Sequence, residues 1–143
     1  MGTYSFGYNP CLERVEFTAL KRIQQVQFVD CKKLKTVVFS DDLEVIDQLA
    51  FVNLNIETIN IPEKVNDIGT SAFHGCKNLS AVYIDSPIVA KGLKYSTSFG
   101  AIASNTSYIY LKENINDIGS YLTNNFIESG TQNGYSVYNR IST

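Results

Sequence analysis

The chain has 143 residues, 44% of them hydrophobic and 12% aromatic, with a formal net charge of −2 and a pI near 5.3. That is ample apolar material for one folded domain and argues against a disordered chain. The slightly acidic balance gives no electrostatic reason to expect nucleic acid or an anionic membrane as partner, and no apolar run approaches the roughly 18–20 residues of a membrane span.

The opening stretch MGTYSFGYNP lacks the charged and apolar regions of a signal peptide. The expectation is either a cytosolic protein or a piece of a longer one, with Met1-Gly2 as appended residues. A repeat that starts at Phe6 with no polar cap before it favours the piece.

From Phe6 onward one frame recurs. Phe6, Phe28, Phe51 and Phe73 are separated by 22, 23 and 22 residues. Offsets of +3, +6, +9 and +11 give Cys31, Leu34, Val37 and Phe39 from Phe28, and Cys76, Leu79, Val82 and Ile84 from Phe73. The same offsets from Phe6 give Asn9, Leu12, Val15 and Phe17; the Phe51 copy is one residue short and gives Ile56, Ile59 and Ile61. Each copy holds a short alternating segment (RVEF, TVVF, TINI, AVYI), which predicts a strand. A second apolar pair follows in three of them: Leu20 and Ile23, Leu43 and Ile46, Val65 and Ile68. A unit this short cannot bury its apolar side alone; it does so by stacking on its neighbours as one coil of a solenoid.

In the stretch DIGTSAFHGCKNLSAVYI, residues 67–84, every position then has a structural role. Leu79, Val82 and Ile84 point from a strand into the core, and Ile68 fills it from the returning segment. Gly69 is expected at a backbone turn. Ala72 is expected where neighbouring coils pass closely, Phe73 inside, and Cys76 as a small buried hydrophobe.

The segment IETINIPEKVNDIGTSAFHGC, residues 56–76, resembles the BspA-like leucine-rich repeats, with Ile61-Pro62, Val65, Ile68-Gly69, Ala72-Phe73 and Cys76 in the places of the consensus. The other copies depart from it: the Phe28 copy has Asp41 where Pro62 stands and Gln48 near the glycine position. The resemblance covers residues 6–90 well and 99–119 loosely. It implies a leucine-rich-repeat solenoid of right-handed coils, with a parallel β-sheet on one face, short helical or irregular turns on the other, and a C-terminal cap. It also implies a surface or secreted protein of bacteria or some protist parasites, several such proteins being linked to adhesion to host glycoproteins. The expected organisation is a single solenoid domain over 1–143, with regular repeats at 6–90, an irregular longer coil at 91–114 and a cap at 115–143.

Residues 91–107, rich in Ser, Gly and Thr, break the rhythm and predict a surface excursion; the strand returns at Tyr108–Leu111. Ile115, Ile118, Leu122 and Phe126 are spaced 3, 4 and 4, which predicts a capping helix over about 117–128 with Asn116 or Asp117 as N-cap and Gly130 just past its end. A last strand is expected near Tyr135–Tyr138. Another ordinary coil is the alternative.

Chemistry has little foothold. The only histidine, His74, follows a core aromatic and is expected to face outward with no acidic partner. No nucleotide, hydrolase, zinc or redox motif occurs, so neither catalysis, a metal nor a cofactor is expected. The acidic run Asp41, Asp42, Glu44, Asp47 lacks EF-hand spacing and reads as a solvated corner, as does the basic cluster Lys32, Lys33, Lys35. Cys31 and Cys76 share a repeat position two coils, roughly 9–10 Å, apart, too far for a disulfide. A Cys11–Cys31 bond is the less favoured alternative to free thiols. Asn78-Leu79-Ser80 and Asn105-Thr106-Ser107 fit the N-glycosylation triplet, which matters only in a secreted eukaryotic protein.

What remains is the outer face of the sheet. Residues between core positions point outward, so one column reads Glu16, Val38, Asn60, Tyr83, Tyr110 and its neighbour Arg14, Thr36, Thr58, Ala81, Tyr108. Tyrosine combines apolar area with a hydroxyl and is enriched at interfaces. Tyr83, Tyr108 and Tyr110, with Asn60 and Glu16, are therefore the candidate binding residues; alternatively the tyrosines only stabilise the sheet by cross-strand pairing. The expected function is a non-catalytic module that binds a protein or glycoprotein, host extracellular in the adhesion reading. The alternative is a structural spacer, although five or six coils span only about 20–25 Å. The open first coil, with exposed sheet edge and core, is expected to allow self-association.

Overall fold

The computed structural model describes residues 6–92 and 106–142. Seven short strands follow the repeat: β1 (Arg14–Glu16), β2 (Arg22–Ile23), β3 (Thr36–Val38), β4 (Val45–Ile46), β5 (Thr58–Ile61), β6 (Asp67–Ile68) and β7 (Ala81–Ile84). The odd-numbered ones carry the alternating segments and pair in parallel, Val15 with Val37 and Ile59 with Val82. The even-numbered ones are the returning apolar pairs and form a second parallel sheet, β2-β4-β6. Each of the first three coils thus contributes one short strand to each of two faces, and the core lies between them. The backbone ladder of the first sheet is interrupted between β3 and β5, leaving β1-β3 as one piece and β5-β7 as the start of another.

The aromatic at the head of each repeat builds the interior. Phe6, Phe28, Phe51 and Phe73 stack in register, with successive centroids 5.3, 5.3 and 5.4 Å apart and planes within 5–10° of parallel. The rings repeat at nearly the spacing of parallel strands. Two residues before the ring, Val26, Leu49 and Ser71 have left-handed backbone; two residues after it, Tyr8, Asp30, Asn53 and Gly75 do. The aromatic sits in a tight double turn whose backbone bonds run to the next coil, as in Phe28 N–H to the Ala50 carbonyl and Asp30 N–H to the Val52 carbonyl.

This relocates the glycine requirement. Gly75, with φ +75°, is the glycine that turns the chain, whereas Gly69 lies outside the left-handed region. Gly69 is needed for space: a Cβ there would come within 2.2 Å of the Gln48 backbone nitrogen. The coils also pass closely at Ala72, as expected: it is fully buried and its carbonyl accepts from the Phe51 N–H of the neighbouring coil at 2.7 Å. The two inner cysteines are buried, and each thiol donates to an aromatic carbonyl one coil away, Cys31 to Phe6 at 2.8 Å and Cys76 to Phe51 at 3.2 Å. Cys11 is exposed, and all three are free thiols.

After β7 comes helix α1 (Pro87–Gly92), which the repeat reading did not anticipate. Its start was nonetheless spelled in the sequence: Ser86 caps it through a 3.1 Å bond from the Val89 N–H, and Pro87 occupies the first turn, where it forfeits no helical bond. Most of the surface excursion expected over 91–107 lies outside the described residues. The chain returns as β8 (Tyr108–Lys112), parallel to β7.

The C-terminal part departs from the expected long capping helix. Helix α2 spans only Ser120–Asn125, its N-cap is Gly119, and Phe126 is already extended. Gly130, expected just past the helix, instead lies within strand β9 (Phe126–Gln132), which forms an antiparallel hairpin with β10 (Tyr135–Arg140). β10 adds antiparallel to β8, so the larger sheet runs β5-β7-β8-β10-β9. The burial behind the 3-4-4 spacing holds: Leu122 and Phe126 are buried, and Ile115 and Ile118 pack against the core. An extended segment followed by one short helix delivers these side chains, so the apolar spacing was sound and its conversion to a continuous helix was not. Arg140 ties the hairpin down, bonding the Thr106 carbonyl at 2.7 Å and lying over the Phe126 ring at 4.8 Å.

Candidate functional site: the tyrosine face

The outward columns have the registers their sequence spacing predicts. Glu16 pairs with Val38, and Asn60, Tyr83 and Tyr110 lie in successive registered positions on β5, β7 and β8. Thr58, Ala81 and Tyr108 form the neighbouring column, although Ala81 is buried rather than outward-exposed. Tyr83 and Tyr110 stack face to face, centroids 4.3 Å apart and planes 11° from parallel, while Tyr108 tilts towards Tyr110 at 6.4 Å. Asn60 stands beside them, its amide 3.5 Å from Asp85.

Glu16 does not join this group. It lies on β1, beyond the break between β3 and β5, and pairs with Arg14 at 2.9 Å. Its place is taken by a residue that the repeat could not reveal. Tyr135 of the hairpin meets Tyr83 edge-on at 5.3 Å, and its hydroxyl donates to Asp85 at 2.8 Å. A strand near Tyr135 was legible; its antiparallel addition beside β8 was not, because the frame offers only parallel neighbours. Burial, then the Asp85 carboxylate, pushes the Tyr135 phenol up to about 12. Burial and the neighbouring Tyr83 and Tyr108 also raise Tyr110. The stacked faces of Tyr83 and Tyr110 are used on each other, so this pair offers ring edges and hydroxyls rather than a free stacking platform.

Beside the cluster, where the ladder between β3 and β5 is broken, runs an open groove of about 630 Å³. Val38, Phe39 and Pro62 supply apolar wall, and Asn60, Asp85 and Lys112 line its tyrosine side. Lys112 is held by Glu63 at 3.1 Å, a contact that raises its pKa. The groove and the tyrosines together make a surface of mixed character, apolar with the Lys112–Glu63 ion pair on its rim.

Three carboxylates of the acidic run are ion-paired at the surface. In the acidic run, Asp42 pairs with Lys64 at 2.6 Å, Glu44 with Lys21 at 3.1 Å and Asp47 with Arg22 at 2.8 Å, each across neighbouring coils. Among the described residues no cluster of three or more metal-ligating side chains occurs. His74 is exposed. Asn78 is exposed, and Asn105 lies outside the described residues.

The sequence model of the BspA type leucine rich repeat region matches residues 1–128 in six copies. The chain belongs to this family. Among solved structures, a leucine rich cell surface protein from Faecalibacterium prausnitzii A2-165 is similar, with 34% identity and a TM-score of 0.52 over 52% of this chain. The match spans 20% of that protein's chain. Among curated proteins none matches. As a BspA-type repeat module, the chain shares the solenoid architecture with a protein of the cell surface, and among the described residues no helix is long and apolar enough to cross a membrane.

Proposed function

We propose that this repeat module is non-catalytic and binds a protein or glycoprotein through the face carrying Tyr83, Tyr108, Tyr110 and Tyr135, as part of a surface or secreted adhesion-type protein. The observation that carries the reading is the convergence of the tyrosines and the Asn60–Asp85 pair beside an open groove. Phenol hydroxyls, an amide and a carboxylate present hydrogen-bonding groups on an apolar base, the combination enriched at recognition surfaces. The similar cell surface protein supports the location. The second reading, a spacer with no ligand, is favoured by the mutual stacking of Tyr83 and Tyr110, which stabilises the sheet whether or not anything binds.

The test measures binding of the chain and of its Tyr83→Ser, Tyr110→Ser variant to immobilised extracellular glycoproteins, before and after enzymatic deglycosylation, with circular dichroism to check the fold. Binding that the folded variant loses supports the module. Binding that persists unchanged moves the site elsewhere, and no binding by either chain favours the spacer.

A further inference from the structure

The groove at the break between β3 and β5 carries an uneven balance of charge. Both lysines on its wall are already paired: Lys64 bonds Asp42 at 2.6 Å and Lys112 bonds Glu63 at 3.1 Å. Asp41 and Asp85 also line it, and neither makes an ion pair among the described residues. The groove is left with two carboxylates that no cation of its own answers.

Asp85 is held in place by neutral donors. The Tyr135 hydroxyl bonds its Oδ1 at 2.8 Å, and the Asn60 amide approaches its Oδ2 at 3.5 Å. An ionised carboxyl offers about four acceptor directions, so both oxygens keep capacity for a further donor. The broken ladder adds acceptors. The Glu57 carbonyl accepts from Ala81 and the Ile61 carbonyl from Asp85, so these residues turn their carbonyls towards β7. By the alternation of a strand, Thr58 and Asn60 turn theirs the other way, to the side of the break, where β3 forms no ladder with them. Val38, which is exposed, supplies apolar wall together with Phe39 and Pro62.

A wall that is apolar and a set of acceptors that is anionic complement a side chain with an apolar stem and a cationic head. A neutral sugar leaves the charge unanswered, and an acidic one is repelled by it. Arginine fits better than lysine, because its planar fork of five donors can serve a carboxylate and backbone carbonyls together. We propose that the groove receives an arginine side chain of a protein partner, its stem along Val38 and Pro62 and its guanidinium on Asp85 and the Asn60 carbonyl, with Asp41 adding attraction. This rests on the binding role given to the face above and names what the partner brings to it. The tyrosines then form the flank of the contact, and Tyr135 is a positioning residue that aims Asp85.

NMR titrations of the full chain test this with short, end-capped glycine-serine peptides that carry one central arginine, lysine, citrulline or glutamate, and with N-acetyllactosamine as a neutral sugar. The arginine peptide should shift the amide signals of Val38, Asn60 and Asp85 saturably, and added salt should weaken it. Citrulline keeps the shape without the charge and should bind roughly tenfold more weakly. Lysine should fall between them, and glutamate should not bind. In the Asp41→Asn, Asp85→Asn variant the new amide still accepts from Tyr135, an unchanged melting midpoint verifies the fold, and the preference for arginine over citrulline should disappear. Arginine and citrulline peptides that bind alike overturn the inference, as does the absence of any saturable shift. It is also overturned if the sugar moves these signals and the arginine peptide does not; that result would keep the face as a binding site and assign it to glycan. Failure of the face itself is read separately, from the glycoprotein binding of the Tyr83→Ser, Tyr110→Ser variant.

Discussion

The stack from β1 to β7 and the hairpin β9–β10 bury their apolar residues by different means. In the stack, equivalent residues meet: phenylalanine lies on phenylalanine, Val15 on Val37, Ile59 on Val82, and the cost of an error is shared by the neighbouring coils. In the hairpin no residue meets its equivalent. β9 is exposed apart from Phe126, and β10 is half-buried along its length. The hairpin is attached by the antiparallel ladder of β10 on β8, to which Arg140 bonding Thr106, Tyr135 bonding Asp85 and Tyr138 against the core are added. The contrast shows how one sheet can combine a part that stacks like on like with a part held by a backbone ladder and a few side-chain links, the candidate binding face lying across their junction.

The comparison is broken most severely from inside the stack. Phe51 has a ring on either side and Phe39 against it, so Phe51→Ala should cost about 3–5 kcal/mol in urea unfolding. Phe73→Ala falls in the same range, whereas Phe6→Ala, at the partly exposed end, should cost much less. Equal losses at Phe51 and Phe6 would refute the cooperative stack.

A pair of glycines sharpens the contrast. Gly69→Ala drives a methyl into the backbone of the coil before it and should cost about 1–3 kcal/mol. Gly130→Ala in the hairpin meets nothing within 4 Å and pays only for its φ of +135°, about 1 kcal/mol. Thermal melts of the two variants side by side decide whether proximity or backbone conformation dominates at each.

Tyr135→Phe removes the hydroxyl that reaches Asp85 and should cost about 1 kcal/mol. It also changes the alkaline limb. Folding raises this phenol from 10.0 to about 12, so the folded state holds the proton more tightly. The stabilisation is complete below pH 10 and is lost as pH rises through about 12. The gap in melting temperature between wild type and Tyr135→Phe should therefore close over that window; a gap constant to pH 12 would contradict the assignment.

The smallest effect is chemical. Burial pushes the Cys76 thiol up to about 11, partly offset by a backbone hydrogen bond at Leu54. Under native conditions a thiol reagent should label the exposed Cys11 and spare Cys31 and Cys76 until the chain unfolds. Labelling of all three at one rate would mean that the coils open readily.

The repeat frame made the first half of the molecule legible because its spacing encodes which residues stack. Phe28 and Phe51, or Ile59 and Val82, can be paired by counting. Counting also placed Asn60, Tyr83 and Tyr110 in one column. It failed where the reason for a residue lay in another coil, as with Gly69 against Gln48. It failed again at the ladder break that separates Glu16 from the tyrosines. The helix α1 was missed although Ser86-Pro87 marked its start, because the frame drew attention to strands.

By itself the sequence determined the period, the inward residues, the aromatic stack and the family. These follow from local alternation and a fixed interval, which any parallel stacking of coils must respect. Tertiary structure alone decided that the end is an antiparallel hairpin, that Tyr135 completes the tyrosine cluster, and that the acidic run is paired across coils. The apolar spacing at 115–126 is satisfied equally by a helix or by an extended approach to one. The choice rests on β10 finding the free edge of β8, a contact between segments with no repeat relation to each other.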